Sequence, residues 1–234
     1  MNILRFIFFF LVLLYSTSFV GKEPDVKIVA CVGDSITFGA RLADPAKDSY
    51  PAQLQELLGE AYRVVNLGVG GCTLIRKGSP NVWSQLGKIA EVNPDLVIVS
   101  LGTNDTCGEG TCGDRKCWEY KGSYMDDYLD FIDRLQTLPS NPEVWVCAPS
   151  PMVIETPGLQ AARIQGLTIR KPRLDTLISQ IGLVALEKQI GLIDLNTPLR
   201  HRPELFTVED GVHPNRAGYR TIAELVHQSL KDHR

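Results

Sequence analysis

Five short apolar runs punctuate the chain, at residues 28–32, 63–67, 95–101, 143–148 and 191–195, mostly β-branched and flanked by turn residues. Runs of that length and composition read as buried strands, because a helix needs more residues to bury one face. Between them the apolar spacing changes to three and four. Ser49-Tyr50-Pro51 opens a helix that continues through Leu57 and Leu58, and a second runs over 81–92 to stop at Asn93-Pro94. Residues 124–138 place apolar side chains at 128, 131, 132 and 135, one face of a helix. Two further helices are predicted over about 172–190 and over 216–230. Strands alternating with helices imply an α/β fold: a three-layer α/β/α sandwich around a five-stranded parallel sheet, with right-handed crossovers.

The first residues follow another pattern. A short basic start over residues 2–5 precedes a continuous apolar stretch over 6–14 and the small residues Ser16-Thr17-Ser18. That is the layout of a cleavable signal peptide, expected over residues 1–18. The apolar stretch is shorter than the roughly 20 residues a spanning helix needs, so no stable membrane anchor is expected. A secreted or periplasmic location follows. Removing the leader leaves about 215 residues, enough for one domain, expected over 25–234, with a substantial core. Lysine and arginine number 24 against 27 acids, a formal net charge of −3, which offers no basic footprint for nucleic acid.

In open parallel sheets, ligands bind beyond the carboxyl ends of the strands. Chemistry-bearing residues gather at those positions here. Gly33-Asp34-Ser35-Ile36-Thr37 follows the first strand run, Asn66-Leu67-Gly68-Val69-Gly70-Gly71 the second, and Gly102-Thr103-Asn104-Asp105 the third. Near the end of the chain stands Asp210-Gly211-Val212-His213-Pro214. A serine hydroxyl is a poor nucleophile until a base takes its proton. His213 is the candidate base, with Asp210 three residues earlier in a glycine-containing turn to orient it. His201, His227 and His233 have no such carboxylate in a turn before them. A dinucleotide site is disfavoured, because no Gly-x-Gly-x-x-Gly turn follows the first strand and no phosphate loop with lysine follows any strand. The Gly-x-Ser-x-Gly elbow of α/β-hydrolases is also missing, with Thr37 where its second glycine would stand.

These four elements, in this order, resemble the four blocks of the SGNH (GDSL-type) hydrolases, over nearly the whole chain after the leader. The resemblance implies a flavodoxin-like sheet of order 2-1-3-4-5 and a serine esterase that uses no cofactor and no metal. It implies Ser35, His213 and Asp210 as the catalytic triad. It also implies an oxyanion hole formed by the backbone N–H groups of Ser35 and Gly71 and the side-chain amide of Asn104. Gly71 is preferred to Gly70 because it lies five residues after Asn66, as in the family's block. Ser49-Tyr50-Pro51, Leu138-Pro139-Ser140, residues 192–195 and residues 203–206 look like the branch containing sialate O-acetylesterases and acetylxylan esterases. The partner implied is a small acylated substrate, an acetylated sugar or glycan. A lysophospholipase or thioesterase of the same fold and a catalytically inactive carbohydrate-binding module are the alternatives.

The stretch from Thr106 to Gly122 departs from that branch. It is polar and charged, holds three of the six cysteines, and carries Trp118 and Tyr120 near its end. Trp118 is a candidate sugar-stacking residue and Trp83 a second. Cys107, Cys112 and Cys117 lack the tight pair and nearby histidine of a zinc site, so a stapled loop is expected instead. Because Gly71 and Asn104 must reach one oxyanion, the pairs Cys72–Cys107 and Cys112–Cys117 are expected. Cys31 and Cys147, separated by a strand in the implied order, are expected as buried thiols.

Overall fold

The five apolar runs form one parallel sheet in the computed structural model, which describes residues Val26–Asp232. The expected leader lies outside the described residues. The strands are β1 (Lys27–Gly33), β2 (Tyr62–Gly68), β3 (Leu96–Ser100), β4 (Glu143–Ala148) and β5 (Gly191–Asp194), in the order β2-β1-β3-β4-β5. The helices are α1 (Ser35–Phe38), α2 (Pro45–Asp48), α3 (Tyr50–Leu58), α4 (Leu86–Val92), α5 (Tyr124–Gln136), α6 (Ala161–Lys188) and α7 (Arg216–Asp232). The expected three layers are present.

Alternation along each strand divides the core. Val29, Cys31, Ile98, Trp145 and Cys147 face one side, where Tyr50 and Leu54 of α3 and Tyr219, Ile222 and Val226 of α7 cover them. Ala30, Val32, Val97, Val99, Val144 and Val146 face the other. There they meet Ile89 of α4, Tyr128, Phe131 and Ile132 of α5, and Ile181 and Val184 of α6. Both faces are buried, so the strands read as continuous apolar runs and not as alternating ones.

Two helices differ from expectation. The segment over 81–92 begins as a 3-10 turn, Val82–Gln85, before α4. More consequentially, α6 starts at Ala161, eleven residues before the expected start, and carries Pro172 within it. Proline suits a first turn, which makes position 172 look like a helix start. Here Pro172 and Thr168, whose carbonyl the proline leaves unpaired, are both exposed, so water can take the missing bond. The added turns bury Leu167 and Arg170.

Gly33 pairs with Gly68 on one side and Ser100 on the other, which brings the carboxyl ends of β1, β2 and β3 to one rim. A Cβ on Gly68 would stand 2.1 Å from the backbone nitrogen of Phe38, in the helix that begins with Ser35. Backbone cannot yield as a side chain can. Gly68→Ala should therefore lose about 1–3 kcal/mol of stability or more, read as a lowered urea midpoint with an unchanged slope.

Candidate active site

Ser35 opens α1 directly after β1. Asp34 caps that helix, its Oδ1 accepting the N–H of Ile36 at 2.8 Å. Burial pushes the Asp34 carboxyl up to about 6, against the pull of the Ile36 N–H and of His213 and Arg170. Its other oxygen, Oδ2, accepts from Nδ2 of Asn104 at 3.3 Å.

His213 arrives from the loop before α7. Its Nε2 lies 2.8 Å from Ser35 Oγ and its Nδ1 2.6 Å from Asp210 Oδ2. The turn between Asp210 and His213 depends on Gly211, whose φ of +61° is left-handed. A Cβ there would also stand 2.6 Å from the Val153 carbonyl oxygen. Asp210 Oδ1 accepts the N–H groups of Val212 and His213, each at 2.9 Å. Burial alone would raise the Asp210 carboxyl, but the bond and charge of His213 and these N–H groups hold it well below the usual carboxylate range.

The glycine loop and the Asn104 loop meet at the opposite side of Ser35. Asn104 Nδ2 donates to the Cys72 carbonyl at 3.1 Å, beside Gly71. Among the described residues, neither the Ser35 N–H nor the Gly71 N–H has a protein acceptor. Unpaired backbone donors at one rim are what a developing oxyanion requires. The Asn104 amide, whose two N–H groups are taken by Asp34 and Cys72 here, would have to turn one of them to a substrate to join them. Asp105 supports this side from below. Buried completely, it accepts the N–H groups of Leu74 and Ile75 at 2.8–3.1 Å and so pins the loop after Gly71. Burial pushes its carboxyl up to about 7 despite those bonds.

Ser35, His213 and Asp210 thus come together, and the Gly71 and Asn104 loops meet at the Cys72 carbonyl. The tryptophans do not join them. Trp83 donates its indole N–H to the Leu74 carbonyl at 2.8 Å, meets Phe131 edge-on and carries Arg76 over its face. Trp118 packs partly buried against the core with Arg173 over its ring. Neither lines the cavity at Ser35. The cysteine pairing also needs correction. The disulfide joins Cys107 to Cys112, with Cα atoms 5.4 Å apart, while Cys72 and Cys117 are buried thiols. A turn closed by the Thr111 N–H on the Gly108 carbonyl brings the bonded pair together. The Gly71 and Asn104 loops are neighbours, as expected, but they meet through the Cys72 carbonyl while its side chain is buried in the core. Cys31 and Cys147 are buried thiols on either side of β3.

Sequence reasoning missed the arginines. Arg170 donates to the Thr103 carbonyl and to Thr106 Oγ1, and Arg163 to the Asp210 carbonyl. Arg115, just past the disulfide, donates to Asn104 Oδ1 at 2.9 Å and to the Gly71 carbonyl. The spacing of positions 163, 167, 170, 174, 177 and 181 is helical and runs straight through Pro172, which is the signal that could have found two of them. Among the described residues, no group of three or more histidines, cysteines or acids is placed to hold a metal ion.

Residues 31–221 match the model of the GDSL-like lipase/acylhydrolase family, a span that holds every element of this site. The chain belongs to that family. It is 30% identical over 229 residues to an acetylxylan esterase of Xylanibacter ruminicola, an alignment covering 90% of this chain and 44% of that protein. The chain therefore spans under half the length of that relative. Its fold is similar to the acetyl xylan esterase AlAXEase (TM-score 0.65, 23% identity, 87% of this chain and 99% of the other). It is also similar to the aryl esterase of M. smegmatis (TM-score 0.67, 19% identity, 88% and 99%).

Two measurements check this description of the site. A carboxylate held below its unfolded range adds stability above the unfolded value, which is lost as pH falls through the folded one. Asp210→Asn should therefore be less stable than the parent by about 1–3 kcal/mol near neutral pH. That gap should narrow as pH drops below about 4; a gap constant from pH 8 to 3 in thermal unfolding would contradict the charged role. Non-reducing peptide mapping should recover Cys107 linked to Cys112 and the other four cysteines as thiols.

Proposed function

We propose that this member of the GDSL-like family is an ester hydrolase, an exported serine acetylesterase acting on O-acetylated carbohydrate through Ser35, His213 and Asp210. The observation that carries the mechanism is the unbroken chain from Ser35 Oγ through His213 to Asp210, at 2.8 and 2.6 Å. Ser35 Oγ attacks the ester carbonyl while His213 Nε2 takes its proton. Asp210 keeps the other ring nitrogen protonated and stabilises the imidazolium. The charge that develops on the carbonyl oxygen is met by the N–H groups of Ser35 and Gly71 and by the amide of Asn104. His213 then returns the proton to the departing alcohol, leaving an acyl-serine. A water, deprotonated by His213, attacks the acyl-serine and releases the acid and the free serine.

The cavity favours a short acyl group. Its lining is dominated by polar and charged side chains, with Val212 its aliphatic residue. A long acyl chain needs a continuous apolar wall. The 30% identical relative is named an acetylxylan esterase, which supports acetyl on carbohydrate. Export rests on the expected leader.

Ser35→Ala should abolish hydrolysis of p-nitrophenyl acetate with the fold retained by circular dichroism. Asn104→Ala should lower kcat by about 100- to 1000-fold with a smaller effect on KM. In a chain-length series the parent should prefer acetate to longer esters. Parent-level turnover by folded Ser35→Ala, or a preference for octanoate, would refute the reading.

A further inference from the structure

The cavity at Ser35 has a volume of about 380 Å³, and four of the side chains lining it are arginines: Arg41, Arg115, Arg163 and Arg170. Its acids are Glu209 and Asp210, and Asp210 is engaged by His213. A cationic cavity on a chain of net charge −3 runs against composition.

The partners of these arginines differ from those of most arginines elsewhere on the surface, Arg173 on the Thr106 carbonyl excepted. Arg200, Arg216 and Arg220 sit on carboxylates at 2.8–3.4 Å. Arg115, Arg163 and Arg170 instead donate to neutral oxygens, those of Asn104, Gly71, the Asp210 main chain, Thr106 and Thr103. Arg41 reaches Asp210 Oδ2 at 3.6 Å, through Nε, with its side chain half exposed. Among the described residues, the Nη groups of Arg41 and Arg163 have no protein acceptor. Both side chains approach Asp210, so these two open forks stand beside the triad. Arg170 is only 4% exposed. Burial, with Arg163 and Arg115 nearby, lowers its pKa to about 10 in spite of the Asp34 carboxyl, the direction expected of a desolvated cation among other cations.

We propose that Arg41 and Arg163 bind a carboxylate on the alcohol part of the ester, so that the substrate is an O-acetylated acidic sugar of the uronic-acid type. A guanidinium fork matches the two coplanar oxygens of a carboxylate, and the remaining arginines add long-range attraction inside a partly desolvated site. The cationic wall continues beyond Arg115 into an adjoining cavity, also about 380 Å³, lined by Lys77, Lys116 and Tyr120 with Asp114 as its acid. An acidic oligosaccharide extending from the acetylated residue finds the same chemistry there. The inference rests on the esterase reading above, since it places the carboxylate next to Ser35.

The test compares acetate release by the full-length protein from acetylated methyl glucuronoside and from acetylated methyl glucoside, with p-nitrophenyl acetate as a charge-free monitor of the triad. The acidic sugar should be preferred by about 10- to 100-fold in kcat/KM at low salt. The preference should shrink as salt rises. The double variant Arg41→Gln, Arg163→Gln should bring the ratio near one, while Arg163→Lys should keep part of it. Should the double variant fail to fold, stronger competitive inhibition of the parent by glucuronate than by glucose makes the same case, and equal inhibition refutes it. Equal kcat/KM on both sugars, by a parent active on p-nitrophenyl acetate, would overturn the inference and leave the esterase reading standing. A ratio unchanged in the folded double variant would overturn the assignment to these arginines. Inactivity of the parent on all three substrates would overturn the esterase reading and this inference with it.

Discussion

Parallel pairing of β1 with both β2 and β3 is the constraint on which the site depends. With Gly33 opposite Gly68 and Ser100, three chain segments leave the sheet at the same height and in the same direction. The serine, the glycine loop and Asn104 are therefore adjacent whatever the length of the crossovers between them. Close approach at that rim is itself a packing requirement. Gly68 has backbone against it where a side chain would otherwise project, and the turn that delivers His213 needs Gly211 in a left-handed conformation.

Buried carboxylates then fix the loops that the sheet has brought together. Each of the three has a distinct task. Asp34 joins the serine helix to Asn104, Asp105 anchors the loop beyond Gly71, and Asp210 holds His213. Desolvation opposes charge at all of them, but only Asp210 gathers enough bonds and positive charge to stay well below the usual range. Asp34 and Asp105 are pushed upward because burial outweighs the donors they satisfy. The arginines form the outer part of the same system. Arg115, Arg163 and Arg170 hold loop carbonyls with some of their donors while lining the cavity.

Much of this was legible in the chain, because the signals were local. Short β-branched runs identify strands wherever both faces of a sheet are buried, and all five lie where those runs fall. The Gly33–Thr37 and Asp210–Pro214 segments each carry their function within five residues, so spacing alone identifies nucleophile, base and orienting acid as candidates. Pro172 misled for a physical reason. A proline's cost depends on whether water can reach the carbonyl it abandons, and exposure is not written in the residue's neighbours.

By itself, then, the sequence determined the layered fold, the order of its strands once the family resemblance was recognised, and the residues that could form the reacting chain. Tertiary structure decided the cysteine pairing, because a tight turn and not loop adjacency sets which sulfurs meet. It decided that Trp83 and Trp118 pack on the core, since an aromatic in a polar stretch has no preferred side until its neighbours are placed. It also decided the charge of the cavity. Arg41, Arg115, Arg163 and Arg170 are scattered over three segments of a net-acidic chain, and electrostatic potential is a sum over distance in space, not along the sequence.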